Sequence, residues 1–230
     1  MKYLYNIGCS FSEGNGLSED EGLTEGKQPS VEGIEFEKTF RYSALLAKKL
    51  HLQEINEATG GGSNQRIFRK VWDWISTNTD KLSETLFIIQ WTFPIRAEYF
   101  RKIQRGDNTG YPKRKWYHVR WAYQLWENFD APDRTSSSNQ TIRMILSLQS
   151  FFKENGIKFI FFEGDDTHNE GSINYTSDLG KLIDLNYWIL ESFVGYSGKE
   201  LTLNGHPNKK MQIEWTNKLE KLIKDKNWLS

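Results

Sequence analysis

The sequence predicts an α/β chain, a three-layer sandwich with helices on both faces of a central, mostly parallel five-stranded sheet. Three observations predict it. Short apolar runs alternate with stretches of helical periodicity along the chain. The runs are apolar throughout rather than every second residue, which is the pattern of strands buried on both faces. Turns rich in glycine and asparagine separate the two kinds of segment, and strand–helix–strand order favours parallel neighbours. At 230 residues the chain reads as one domain, residues 1–230, with an aromatic and basic insertion around residues 96–138.

The elements follow in order. Lys2 to Ile7 is a first strand, with Tyr3, Leu4, Tyr5 and Ile7 apolar, and it runs into Gly8-Cys9-Ser10-Phe11-Ser12. Glu13 to Glu37 holds five glycines and reads as a long loop. Lys38 to Leu50 is a helix, because Phe40, Ala44, Ala47 and Leu50 share one face. Leu52 to Ala58 is a second strand, ending in Thr59-Gly60-Gly61-Gly62-Ser63-Asn64, a turn that glycine makes easy. Gln65 to Thr77 is a helix by the spacing of Ile67, Phe68, Val71, Trp72 and Ile75, with Ser63 or Asn64 as its cap.

Thr85 to Trp91 is a continuous apolar run with β-branched residues, hence a buried parallel strand that Pro94 stops. Gln140 to Glu154 is helical and closes at Asn155-Gly156. Ile157 to Phe162 is the next strand, followed by Glu163-Gly164-Asp165-Asp166. Asp178 to Val194 reads as a further helix, with a fifth strand in its second half as the alternative. After the turn Asn204-Gly205-His206-Pro207-Asn208 comes a last helix. It has Met211, Trp215, Leu219, Leu222 and Ile223 on one face and Pro207 in its first turn.

Composition narrows the function classes. Thirty basic and thirty acidic residues balance, so no global charge argues for nucleic acid or an anionic membrane. No apolar run reaches the ~18 residues of a membrane span. One cysteine, Cys9, excludes an internal disulfide framework and a thiolate-rich zinc site. Met1 to Gly8 is too short for a secretory signal peptide, so the expected location is the cytoplasm of a host cell or a virion. The charge is nevertheless segregated. Glu13 to Glu37 contains eight acids against one base, and Arg101 to Arg120 contains seven bases against one acid. Such stretches are solvated insertions, interaction surfaces or two loops that face each other. Aromatic residues make up 14%, with Tyr111, Trp116, Tyr117, Trp121, Tyr123 and Trp126 close together. They fit either a helix from about Lys115 to Asn128 docked on the core or a wall suited to sugar faces.

In open parallel sheets ligands bind at the carboxyl ends of the strands. The segments Gly8–Ser12, Gly60–Asn64, Gln90–Arg96 and Asn204–Asn208 are the candidates for that edge. A serine just after a strand can act as a nucleophile if a base stands within hydrogen-bond reach, and otherwise caps a helix. Of four histidines, His206 is held most rigidly, in a turn bracketed by Gly205 and Pro207. Gly61 or Gly62 can offer a bare backbone N–H to a developing oxyanion. The α/β-hydrolase elbow does not fit, because Gly8-Cys9-Ser10-Phe11-Ser12 lacks its final glycine and lies on the first strand. Cys9 reads as a small residue in a tight turn. Asp165, Asp166 and His168 read as a polar loop rather than a metal site. No metal and no cofactor are expected.

Four short blocks, in order, resemble the SGNH (GDSL-like) hydrolase family across nearly the whole chain. Gly8-Cys9-Ser10-Phe11 is similar to its Gly-Asp-Ser-Leu block and to compact variants found among phage-encoded members. Asn56 to Ser63 looks like the block that supplies a glycine N–H, Gln90-Trp91-Thr92-Phe93 holds the place of the third block, and Asn204-Gly205-His206-Pro207 is similar to the last. The resemblance implies the flavodoxin-like, SGNH-hydrolase type of sandwich. It also implies Ser10 as nucleophile, His206 as base, and an oxyanion hole from Ser10, Gly61 and Thr92. Cys9 replaces the family's first-block aspartate, and Thr92 stands for its oxyanion asparagine. Leu203 occupies the position of the triad acid, with Asn204 one residue nearer the histidine. A neutral amide there does not stabilise an imidazolium, and the corresponding change in a serine protease costs about 10⁴ in rate. A backbone carbonyl, Asp165 or Asp166 are the alternatives to Asn204 for orienting His206.

Two functions follow as expectations. One is a serine esterase or deacylase acting on a small acyl ester, such as an O-acetylated glycan, with Trp91, Arg96, Trp116 and Tyr117 binding substrate. The other is a catalytically impaired binding or structural, virion-associated protein on the same scaffold, meeting a protein partner through the aromatic and basic insertion. Nucleic acid and membrane are disfavoured as partners.

Overall fold

A computed structural model describes residues 1–26, 28–103, 113–119, 134–165, 172–196 and 200–229. Its elements begin with β1 (Tyr3–Ile7), α1 (Ser10–Glu13), α2 (Leu17–Asp20), β2 (Thr24–Glu25), β3 (Gln28–Pro29), α3 (Val31–Phe40), α4 (Tyr42–Leu50) and β4 (Gln53–Asn56). Then come α5 (Asn64–Thr77), β5 (Thr85–Trp91), β6 (Ala97–Ile103), β7 (Lys113–Val119), α6 (Arg134–Glu154) and β8 (Lys158–Glu163). The chain closes with β9 (Trp188–Ile189), α7 (Phe193–Tyr196) and α8 (Lys209–Asp225).

Five strands form one sheet in the order β4-β1-β5-β8-β9, and every neighbouring pair is parallel. The sequence predicts this architecture. β5 is central and buried at all seven positions, as its mostly apolar run requires. Alternation along the strands sorts their side chains into two cores. Tyr5, Phe87, Ile89, Phe159 and Phe161 face Ile67 and Val71 of α5 and Ile145 and Phe152 of α6. Leu4, Leu86, Ile88, Ile160 and Phe162 face Leu46 of α4 and Met211, Trp215 and Leu219 of α8. The chain moves outward from β1 to β4, then crosses back to β5 and onward. The strand order therefore reverses between β1 and β5, the point at whose carboxyl edge open α/β sheets bind ligands.

Five expectations are corrected. Glu13–Glu37 is not a loop: it carries α2, the β2–β3 hairpin and most of α3. A buried carboxylate organises it, since Glu37 Oε1 accepts from the Gly16 N–H at 2.9 Å and the Ser18 hydroxyl at 2.8 Å. The helix read over Lys38–Leu50 is broken at Arg41, whose backbone is extended and whose guanidinium pairs with both oxygens of Glu54 at 2.9 and 2.8 Å. Asp178–Val194 is not one helix. Two short 3₁₀ turns lead into β9, the fifth strand, and then α7. The helix read from Lys115 begins instead as β7, antiparallel to β6 in register from Ala97–Val119 to Ile103–Lys113. Both strands are rich in aromatic and β-branched residues, which suit a pleated ribbon better than a helix. Residues 120–128 lie outside the described residues. At the last helix, Asn208 caps α8 by accepting from the Met211 N–H at 2.9 Å, so Pro207 sits just before the cap rather than inside the first turn.

Candidate active site

β1 ends at Ile7, Gly8-Cys9 turns the chain, and Ser10 is the first residue of α1, buried at 6% exposure. The turn is held from β5 by Gln90. Its Nε2 donates to Cys9 Sγ at 3.1 Å, and its Oε1 accepts from the Ser12 hydroxyl. Ser12 Oγ also lies 2.7 Å from the Tyr42 hydroxyl, which donates to Asn6 Oδ1 at 2.6 Å. One amide thus grips the residue before Ser10 and the residue two after it. Gly8 is required there, because a Cβ would come within 2.7 Å of Gln90 Oε1.

The glycine-rich loop after β4 lies directly on this turn. The Thr59 N–H donates to Gly8 O at 3.3 Å, and the Gly60 N–H donates to the Glu13 carboxylate. A Cβ on Gly62 would stand 3.2 Å from Gly8 O. Gly61 adopts φ +72°, a conformation that costs glycine little. The Gly62 N–H is taken by Thr59 O at 3.0 Å, which leaves Gly61 the better candidate donor of the two. Burial pushes the Glu13 carboxyl pKa up, against the pull of the Gly60 N–H.

Thr92, just past β5, is buried and already bonded. Its N–H donates to Asn64 Oδ1 at 2.9 Å, and Asn64 Nδ2 donates to Thr92 O at 2.8 Å and to Thr141 Oγ1 at 3.1 Å. Ser63 is the cap of α5, accepting from the Arg66 N–H at 3.2 Å, so Asn64 serves as a latch between α5, β5 and α6. Sequence reasoning placed Asn64 only as a capping option.

His206 sits in a tight return of the chain. The Thr202 N–H donates to His206 O at 2.8 Å, the Gly205 N–H donates to Thr202 O at 2.9 Å, and Gly205 has φ +74°. The imidazole meets the Phe11 ring edge-on, with centroids 5.6 Å apart and planes at 87°. A Cβ on Gly16 would lie 3.1 Å from His206 Cβ. The segments carrying Ser10 and His206 are therefore packed against each other across nearly the full length of the chain. They border a cleft of about 730 Å³ whose lining includes Glu13, Gly16, Glu19, Glu37, Asn204 and His206.

The other expected site residues are placed as follows. Asn204 donates its amide to Glu19, and Leu203 is 97% exposed, so the last block presents its polar neighbour to α2. Trp91 has no exposed surface. It packs edge-on to Phe161 at 5.7 Å inside the core, which corrects its reading as a substrate-binding residue. Arg96 lies over the Phe93 ring at 4.8 Å and reaches Gly62 O at 3.5 Å. Trp116 and Tyr117 lie in β7 opposite Phe100 and Tyr99, and their side chains are outside the described residues. So are Asp166 and His168; Asp165 follows β8. Among the described residues no group of three or more His, Cys, Asp or Glu is placed to hold a metal, and no helix is long and apolar enough to cross a membrane. Sequence reasoning missed Gln90, although a glutamine within an otherwise apolar buried strand is itself a signal that its amide is bonded.

Comparison with known proteins agrees on the fold. A family model described as "Family of unknown function (DUF6071)" matches residues 21–206. No curated protein matches the sequence. Among solved structures, the chain is similar to the psychrotrophic esterase EstA from Pseudoalteromonas sp. in a form inhibited by monoethylphosphonate. The TM-score is 0.53 at 13% identity, covering 100% of this chain and 99% of that one. A family two carbohydrate esterase from Clostridium thermocellum, in complex with cellohexaose, gives a TM-score of 0.55 at 12% identity, covering 100% and 65%. TesA gives 0.52 at 14% identity, covering 97% and 99%. The chain thus has the SGNH-type α/β fold that its four blocks imply.

Proposed function

Because the chain belongs to DUF6071, a family of unknown function, its chemistry has to be argued from the site, and we propose that it is a serine esterase of SGNH type acting on a small acyl ester. The observation that carries this reading is the packing of His206 edge-on against Phe11, the residue after Ser10. It brings the only candidate base among the four blocks to the turn that bears the candidate nucleophile.

In this reading Ser10 Oγ attacks the ester carbonyl while His206 takes its proton. His206 then returns that proton to the leaving alcohol, and water hydrolyses the acyl-enzyme by the same route. The N–H groups of Ser10 and Gly61 hold the oxyanion. Thr92 contributes through its hydroxyl rather than its backbone N–H, which Asn64 already occupies. Asn204 is not carried into the mechanism, since its amide is given to Glu19. Glu13 and Glu19 line the cleft with His206 and are candidates to orient it. The complex of the structurally similar carbohydrate esterase with cellohexaose supports an O-acetylated glycan as one substrate to try.

A second reading is a binding protein with an impaired site. The exposed Leu203 at the position of the family's acid favours it. A fluorophosphonate probe separates the two. On the esterase reading it labels Ser10, short 4-nitrophenyl esters are turned over, Ser10→Ala abolishes both, and His206→Ala lowers kcat by at least about 10³. A folded protein that neither labels nor hydrolyses, or a Ser10→Ala variant with full turnover, overturns it.

A further inference from the structure

The Arg96 side chain carries a charge that nothing among the described residues neutralises. A guanidinium presents five N–H donors in a fixed fork. Two nearby arginines spend theirs on carboxylates, and Arg66 gives Nη1 to Glu57 O at 2.8 Å. Arg41 gives Nε and Nη2 to the two oxygens of Glu54, and Arg69 gives Nε and Nη2 to the two oxygens of Glu98. Arg96 makes one long contact, Nη1 to Gly62 O at 3.5 Å, and rests on the Phe93 ring at 4.8 Å. Its Nε is sealed from solvent and has no hydrogen-bond partner among the described residues. Leaving a buried donor of a charged group unmade is costly, so its retention asks for a ligand that completes it.

The base of this side chain is fixed. Thr92 is latched on both its N–H and its carbonyl by Asn64, and the Arg96 N–H closes a turn onto Phe93 O at 3.1 Å. From there the guanidinium reaches from the loop after β5 to the glycine loop after β4. It ends beside Gly62, next to the candidate oxyanion donor Gly61. On the esterase reading, a cation beside Gly62 faces the part of the substrate held next to the oxyanion glycine. Its fork matches a carboxylate or phosphate in bidentate geometry.

We infer that the substrate carries an anionic group, carboxylate or phosphate, close to the ester bond, and that Arg96 pairs with it. The inference rests on the esterase reading and narrows its substrate class. Whether the anion belongs to the acyl part or the alcohol part is read by two matched pairs of esters. 4-Nitrophenyl hemisuccinate against 4-nitrophenyl butyrate tests the acyl side, and 4-acetoxybenzoate against 4-methylphenyl acetate tests the alcohol side.

The full-length protein is expected to favour the anionic member of one pair in kcat/KM, mainly through KM. Arg96→Met is expected to collapse that ratio by about 10- to 100-fold, and Arg96→Lys to restore part of it. Calorimetric titration with succinate supplies a readout independent of turnover: wild type binds and Arg96→Met does not. If no ester is hydrolysed yet succinate binding depends on Arg96, the anion site stands and the esterase reading falls. Equal rates within both pairs, or a ratio unchanged in Arg96→Met, overturns the inference. Should Arg96→Met fail to fold, the wild-type ratios and the Arg96→Lys variant decide the matter by the same criteria.

Discussion

At the scale of single residues, the geometry of the serine turn is set by one buried amide. Gln90 has no apolar role in β5. Its two polar atoms are spent on Cys9 and Ser12, so the backbone between them, where Ser10 sits, has few ways to move. Gly164, in the loop after β8, closes the other side of the same amide, and a Cβ there would fall 1.9 Å from Gln90 Nε2. Gly164→Ala must therefore push the amide off both partners. Overpacking of this kind costs about 1–3 kcal/mol, and denaturant unfolding should record a loss in that range. The same variant should expose Cys9, now 1% exposed, to a thiol reagent at a clearly higher rate under native conditions. A stability loss without faster thiol modification would mean that the turn does not depend on the clamp.

At the scale of elements, what was legible in the sequence divides by the kind of signal. β5 was read to the residue because Thr85–Trp91 is a mostly apolar run with sharp ends, and α5 to within one residue because its apolar spacing is regular. The segment from α1 to α3 was not legible. Its order comes from the Glu37 carboxylate bonding to Gly16 and Ser18, a long-range polar contact that no periodicity reports. The candidate nucleophile and base were legible as local motifs, but what joins them was not. Gln212, in the second turn of α8, is fully buried. Its Oε1 accepts from the Tyr42 N–H at 2.8 Å, and its Nε2 donates to Phe11 O at 3.4 Å. The helix that follows His206 is thereby tied to the residue after Ser10. Gln212→Leu leaves the Tyr42 N–H unpaired in the core and should cost about 1–3 kcal/mol in equilibrium unfolding. Because it also frees the two segments from each other, fluorophosphonate labelling of Ser10 in the folded variant should slow. Labelling at the wild-type rate would show that the sheet alone positions the pair.

At the scale of the whole molecule, the site depends on a sheet whose strand order reverses between β1 and β5 and on a last helix that covers one face of it. α8 does two jobs that can be separated. Its buried face seats Trp215 against Phe162 and Phe193, with centroids 4.9 and 5.1 Å apart, and completes the second core. The turn before it carries His206, half-buried at the rim of the cleft, with its ring edge-on to Phe11. If His206 is there for chemistry, its loss should be cheap for the fold and ruinous for the reaction, and Trp215 should behave the other way round. Trp215→Ala empties a large buried volume and is expected to cost about 3–5 kcal/mol. Under conditions where that variant is still folded, ester turnover per folded molecule should stay near the wild-type value. His206→Ala is expected to move stability by no more than about 1 kcal/mol while abolishing turnover. Thermal or denaturant unfolding run beside an ester assay on both variants reads all four quantities. A His206→Ala protein as unstable as Trp215→Ala would make the histidine turn a structural staple, and the carboxyl edge of the sheet would lose its base.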